Sequence, residues 1–330
     1  MIEVGVPPQK LQVLASTQAP ETLLVLPAGC SIAAGDASNC TDVRGGVYNN
    51  TKSSGWVSKN IYALQIEGNL GLTTNSDNGQ FGYDRFSIPT GQGGNVTLDQ
   101  QILAGIATKD YFLGSLGLSQ TPVNFTNPFD TRPSLITNLK NQSLIPSSSY
   151  AYTAGASYRN NATASLTLGG YDSSRFIPND VSFGLAKDPF RQLVVALETI
   201  TFSDSGSTEI TLLQNGILAL VDSTVPTIWL PLEACQAFES AFGISYQPIP
   251  NLYIVNDTLH DQMVKQNASV TFTLAQTVGS SVRVNITLPY SSFDLEVDYP
   301  LVKAKERYFP LRRAADDTQY TLGRTFLQES

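Results

Sequence analysis

The sequence predicts an all-β chain of two homologous lobes, mainly strand with a few short helices. Three observations predict it. Charged residues make up only 15% of the 330, while 25 glycines and 18 prolines divide the chain into short pieces, as strands joined by turns require. An apolar strand ending in a polar turn occurs twice, as Val13-Leu14-Ala15-Ser16-Thr17-Gln18 and as Leu218-Ala219-Leu220-Val221-Asp222-Ser223-Thr224. Each copy runs on into a similar apolar segment, Leu23-Leu24-Val25-Leu26-Pro27 in the first and Ile228-Trp229-Leu230-Pro231 in the second. The third observation is spacing. Ser16 and Gly117, in Phe112-Leu113-Gly114-Ser115-Leu116-Gly117-Leu118, are 101 residues apart, and so are Asp222 and Gly323, in Tyr320-Thr321-Leu322-Gly323. An apolar-apolar-Gly element therefore follows each turn at one interval, and the halves repeat with an offset of 206 residues.

In chain order, β-rich and partly alternating segments predict strands over Gln9 to Ala15, Tyr62 to Ile66, Phe81 to Ile88 and Ala164 to Leu168. In the second half they predict strands over Val194 to Phe202, Gly216 to Val221 and Val270 to Leu274. Ser134 to Asn141 reads as a short helix with a Ser-type start. Leu232 to Phe242 reads as a helix after Pro231, with Leu232, Cys235, Phe238 and Phe242 on one face. The Gly169-Gly170-Tyr171-Asp172 turn places the lobe boundary between residues 172 and 173, giving lobes 1–172 and 173–330.

Composition narrows the partners. A net charge of −8 argues against nucleic acid and anionic membrane, and suits an acidic working medium as well as simple solubility. No apolar run approaches the roughly eighteen residues of a membrane span. Sequons stand at Asn39, Asn49, Asn95, Asn124, Asn141, Asn161, Asn256, Asn267 and Asn285. So many candidate glycan sites in polar loops favour a secreted or cell-surface chain that has passed through a eukaryotic secretory pathway. Cys30 and Cys40 bracket a polar loop and could close a local disulfide contributing about 2–3 kcal/mol. Cys235 is then left over, either buried and free or paired outside this chain. Met1-Ile2-Glu3-Val4 leads directly into Pro7-Pro8 with no signal segment, so the expectation is a chain shortened at its start.

These residues together resemble the pepsin-like aspartic peptidases, and within them the glycosylated fungal branch. Pro7-Pro8-Gln9 is similar to the family's opening turn, Ser16-Thr17-Gln18 falls at its first Asp-Thr-Gly, and Asp222-Ser223-Thr224 falls at its second. Leu116-Gly117 and Leu322-Gly323 resemble its paired apolar-Gly elements. Leu168-Gly169-Gly170-Tyr171-Asp172 resembles its lobe junction, and Gly82-Tyr83-Asp84 the close of its flap. The resemblance covers the whole chain. It implies a bilobal acid protease fold, with two β-barrel-like lobes, a central cleft that takes an extended peptide or protein ligand, and a flap hairpin over that cleft. It also implies a monomer that needs no cofactor, and one or two further strands beyond Ser330.

The chemistry implied by the resemblance uses two carboxylates sharing one proton, a split for which pepsin is itself the standard illustration. One carboxylate takes a proton from water while its protonated partner stabilises the developing oxyanion. Asp222 supplies one carboxylate, and its place after an apolar strand favours a retained catalytic position over a plain Asx turn. Ser16 cannot supply the other, because a hydroxyl does not titrate in the useful range. Losing one such group costs roughly 10²–10⁴ in rate. Ser16 lacks a G-x-S-x-G setting, and His260, beside a sequon and expected on the surface, is the only histidine. A serine hydrolase and a zinc site are both disfavoured. Thr224 replaces the second motif's glycine, and Glu67, before Gly68, stands where the flap tyrosine is expected. Glu67 reads as a solvated hairpin charge, or as a carboxylate lent inward to Asp222. The expectation is a catalytically impaired peptidase homologue, with an active acidic endopeptidase as the alternative and a purely structural glycoprotein as the third reading.

Overall fold

Residues 1–31, 36–64, 70, 78–91, 93–125, 129–205, 209–298 and 302–329 are described by the computed structural model. The expected strands and both expected helices are present, and strand dominates the chain. Contacts divide it into two compact units: residues 1–151 with 167–171, and residues 152–166 with 172–330.

The first unit contains β1 (Ile2–Val4), β2 (Gln9–Leu11), β3 (Val13–Ser16), β4 (Thr22–Val25), α1 (Cys40–Val43), β5 (Val57–Ala63) and β6 (Asn78–Pro89). It continues with β7 (Asn95–Ile106), β8 (Gly114–Gly117), β9 (Val123–Asn124), β10 (Thr131–Arg132) and α2 (Leu135–Asn141). Its main sheet runs β2-β1-β6-β7-β4-β8-β3, with β5 paired to β6 and β9 to β10 in a separate ribbon. The single strand expected over Gln9 to Ala15 is two strands. At Gln12 the backbone N–H turns to the Gly45 carbonyl at 2.7 Å, and the chain changes partner from antiparallel β1 to parallel β8. The strand expected over Tyr62 to Ile66 closes β5 at Ala63, and its last two residues lie outside the described residues. α2 begins where expected, with the Ser134 Oγ accepting from the Thr137 N–H.

The Cys30–Cys40 disulfide forms. Behind it the fully buried Arg44 donates to four backbone carbonyls, those of Phe112 (2.7 Å) and of Gly29, Thr108 and Tyr111 (2.8 Å each). A buried cation with that many acceptors is satisfied without a carboxylate partner, and it ties the disulfide loop to the chain before β8.

β11 (Tyr150–Thr153) and β12 (Ser165–Leu168) form a two-stranded ribbon where the chain passes between the units. Residues 152–166 pack with the second unit: Ala154 N–H donates to the Leu327 carbonyl at 3.1 Å, and Arg159 pairs with Glu329 at 2.6 Å.

The second unit contains β13 (Val194–Ser203), β14 (Ile210–Leu213), β15 (Ile217–Val221), β16 (Ile228–Leu230), α3 (Leu232–Phe242), β17 (Ser245–Gln247) and β18 (Leu252–Val255). After these come α4 (Asp257–Gln266), β19 (Ser269–Ala275), β20 (Arg283–Pro289), β21 (Leu295–Val297), β22 (Glu306–Phe309), β23 (Leu311–Arg313) and β24 (Thr321–Leu322). Its main sheet runs β20-β19-β13-β15-β24-β16-β23. α3 ends on Gly243 at φ 69°, a left-handed cap that glycine takes without a Cβ clash. Cys235, Phe238 and Phe242 bury as expected, but Leu232 stays 45% exposed, because the buried face runs through Ala234, Cys235, Phe238 and Phe242 and Leu232 falls off its edge. Phe238, Phe242, Phe293 and Phe309 interlock with centroids 4.8–5.9 Å apart. Each such ring contributes about 2–3 kcal/mol by burial. Cys235 is free and buried, its thiol pushed up to about 12 by burial.

Candidate functional site

The 101-residue interval is a ladder register. In the first unit β3 pairs parallel with β8, Ser16 opposite Gly117. In the second, β15 pairs parallel with β24, Leu220 opposite Thr321 and Val221 opposite Leu322, and the Asp222 N–H continues that ladder to the Leu322 carbonyl at 3.1 Å. The third strand repeats too. β4 lies antiparallel to β8 with Leu23 opposite Ser115, and β16 lies antiparallel to β24 with Trp229 opposite Thr321, each position shifted by 206.

Glycine is required in both copies by the same contacts. A Cβ at Gly117 would meet the Glu21 and Ala19 carbonyl oxygens at 2.6 and 2.8 Å, and one at Gly323 would meet those of Thr227 and Val225 closer still. The loop leaving each polar turn therefore lies directly on its glycine, and this pins Ser16 and Asp222 at the ends of their strands.

Within that common frame the side chains differ. Ser16 is fully buried, and its Oγ accepts the Ala19 N–H at 3.0 Å. Thr17 is buried beside it and Gln18 is half-buried. Asp222 is 2% exposed, and its Oδ1 accepts the Thr224 N–H at 2.9 Å and the Thr224 hydroxyl. Burial pushes the Asp222 carboxyl above the usual carboxylate range, opposed by the two Thr224 bonds and by the charge of Arg324. Thr224, which the sequence marked only as a lost glycine, thus stabilises the ionised acid. Ser223 is fully buried, and its carbonyl and that of Thr224 accept from Arg324 at 2.9 and 2.7 Å.

Three further residues escaped the sequence reading. Arg324 follows Gly323 directly, and that adjacency was the available signal. Arg312 lies on β23, whose pairing to β16 nothing in the local sequence announces. Glu21, between Ser16 and β4, is 5% exposed, and burial lifts its carboxyl to about 7 against a bond to its own backbone.

Glu67 and Gly68 lie outside the described residues. His260 is not on the open surface as expected. Its side chain is 20% exposed, with Nδ1 3.2 Å from Asp294 Oδ1, because α4 lays it against the segment after Tyr290. Eight of the sequon asparagines, Asn39, Asn95, Asn124, Asn141, Asn161, Asn256, Asn267 and Asn285, are exposed. Asn49 is half-buried, its Oδ1 held by the Thr51 N–H and hydroxyl at 3.1 and 2.7 Å. Among the described residues no group of three or more His, Cys, Asp or Glu side chains could hold a metal ion. No helix there is long and apolar enough to cross a membrane.

Two mostly-β units, each closing a polar turn over a glycine in the same three-strand register, define a pepsin-like bilobal protein. The chain belongs to the eukaryotic aspartyl protease family, whose model matches residues 1–330. No curated protein matches it.

Proposed function

We propose that this chain is a catalytically impaired aspartic peptidase homologue that binds an extended peptide without cleaving it. The observation that carries this reading is the unequal pair of turns. At the same register position one unit presents the buried hydroxyl of Ser16, and the other the buried carboxyl of Asp222.

Peptide hydrolysis of this type needs a proton to be taken and returned by two coupled acids. Asp222 is poised for half of that, its proton affinity raised by burial and moderated by Thr224 and Arg324. Ser16 cannot complete it. Its oxygen is already accepting a backbone N–H and has no accessible ionised form. Glu21 adds a carboxyl to the first unit, but one whose hydrogen bond goes to its own backbone.

The disulfide and the exposed sequons support secretion or cell-surface display as a glycoprotein of the fungal branch. The residues this reading rests on are Ser16, Thr17 and Gln18 at the polar turn of the first unit, and Asp222, Ser223 and Thr224 at that of the second. An uncharged fluorescent peptide containing statine, a mimic of the tetrahedral intermediate, tests it by anisotropy between about pH 3 and pH 6. Saturable binding with no cleavage of the matching amide peptide is expected. No binding removes the peptide-module reading, and cleavage that Asp222→Asn abolishes removes the impairment.

A further inference from the structure

We infer that the second unit carries an anion-recognition subsite, centred on Arg312 and flanked by Arg324, that selects peptides with a carboxylate about four to five residues from the residue facing Asp222. The inference rests on the peptide-binding reading above and names the ligand class it would take.

The two units supply an internal comparison. Parallel to β4 runs β7, with Leu23 opposite Ala104. Parallel to β16 runs β23, with Trp229 opposite Arg312. In the first unit this lattice position is closed by apolar side chains, Leu23 and Ala104 burying together with Val25, Phe81 and Ile102. In the second the matching position holds a guanidinium.

Register fixes which face that guanidinium occupies. Leu220 is opposite Thr321, Thr321 opposite Trp229, and Trp229 opposite Arg312. Residues so paired share one face of a sheet. Ile228, Leu230, Leu311 and Leu322, one position away, fill the hydrophobic core on the other face. Asp222, two residues beyond Leu220, keeps the face of Arg312.

That face is rich in donors and short of acceptors. Among the described residues no hydrogen bond or ion pair holds the half-buried Arg312 guanidinium, and the charged form is disfavoured chiefly by desolvation. Among the described residues the buried Nε1 of Trp229 has no hydrogen-bond partner. Tyr308 lies within electrostatic reach of both Arg324 and Arg312. A half-buried cation with no anion beside it is an open donor set, and a ligand carboxylate there would receive charge-assisted bonds from it. Three inter-strand steps of about 4.8 Å and two residues along the strand separate Asp222 from Arg312 by roughly 15 Å, the reach of about four to five extended residues.

The test uses four fluorescent statine peptides, with Glu or Gln at about the fourth or fifth residue on either side of the statine. A further pair ends there as a free acid or as an amide, separating side-chain from terminal carboxylate. At about pH 6, a Glu or free-acid peptide on one side should bind at least about tenfold tighter than its neutral twin. Arg312→Gln should bring that ratio to about one, and Arg312→Lys should keep part of it. Melting curves confirm that the variants fold, and the wild-type ratio needs no variant. Equal affinity of acid and neutral peptides overturns the subsite while leaving peptide binding standing, as does a preference that survives Arg312→Gln. Failure of every peptide to bind overturns both.

Discussion

Burial and hydrogen bonding pull the Asp222 carboxyl in opposite directions. Desolvation favours its protonated form, while the Thr224 N–H, the Thr224 hydroxyl and the charge of Arg324 favour the ionised one. Thr224→Val deletes one donor at nearly constant volume, so the Asp222 pKa should rise further. Infrared titration of the carboxyl band against Asp222→Asn measures it, and an unchanged pKa would remove Thr224 from this role. Asp222 was legible in the sequence because an acid after an apolar strand is unusual. Arg324 and Thr224 were legible as residues but not as partners of Asp222, since that relation arises when β24 carries Gly323 under the turn. Arg312 was hidden for the same reason, its importance set by a neighbour 83 positions away in the chain.

At the scale of elements, each polar turn rests on its glycine, and the strands cannot adjust without breaking register. Gly323→Ala or Gly117→Ala forces a methyl group into backbone carbonyls, which should destabilise the affected unit by about 1–3 kcal/mol or more. Urea unfolding reads this, and a change below about 0.5 kcal/mol would show that the loop is not held as described. The loop from Ser16 to β4 also carries Glu21. Its folded pKa of about 7 lies above the ordinary 4.5, so the folded state holds the proton more tightly. Stability from this group is therefore full below about pH 4.5 and is lost as pH rises through 7, on the order of 3 kcal/mol in all. Glu21→Gln should flatten that slope in thermal melts across the same window, and an unaltered slope would place the proton elsewhere. The break at Gln12 could not be read locally. Its residues suit one strand, and only the distant Gly45 carbonyl divides it.

On the scale of the whole molecule, the sequence revealed the repeat before any contact was known, because parallel pairing of β3 with β8 and of β15 with β24 converts a chain interval directly into a register. It also revealed one divergence, Ser16 against Asp222, because both lie inside the repeated motif. What it could not reveal was the second, Ala104 against Arg312, which takes its meaning from strand pairing alone. The Cys30–Cys40 loop is the one covalent tie, and reducing it should lower the stability of the first unit by about 2–3 kcal/mol. A melt with and without reductant checks this, and equal melting temperatures would contradict it.

If the fold is intact and one carboxylate is missing, restoring that carboxylate should restore turnover. Turnover of an uncharged fluorogenic peptide library by the wild-type chain and by Ser16→Asp, compared between about pH 3 and pH 6, tests it most directly. No wild-type turnover above background is expected, and a gain of at least about 10²-fold in Ser16→Asp, abolished again by adding Asp222→Asn. Wild-type cleavage that is lost in Asp222→Asn and unchanged in Ser16→Asp would contradict it.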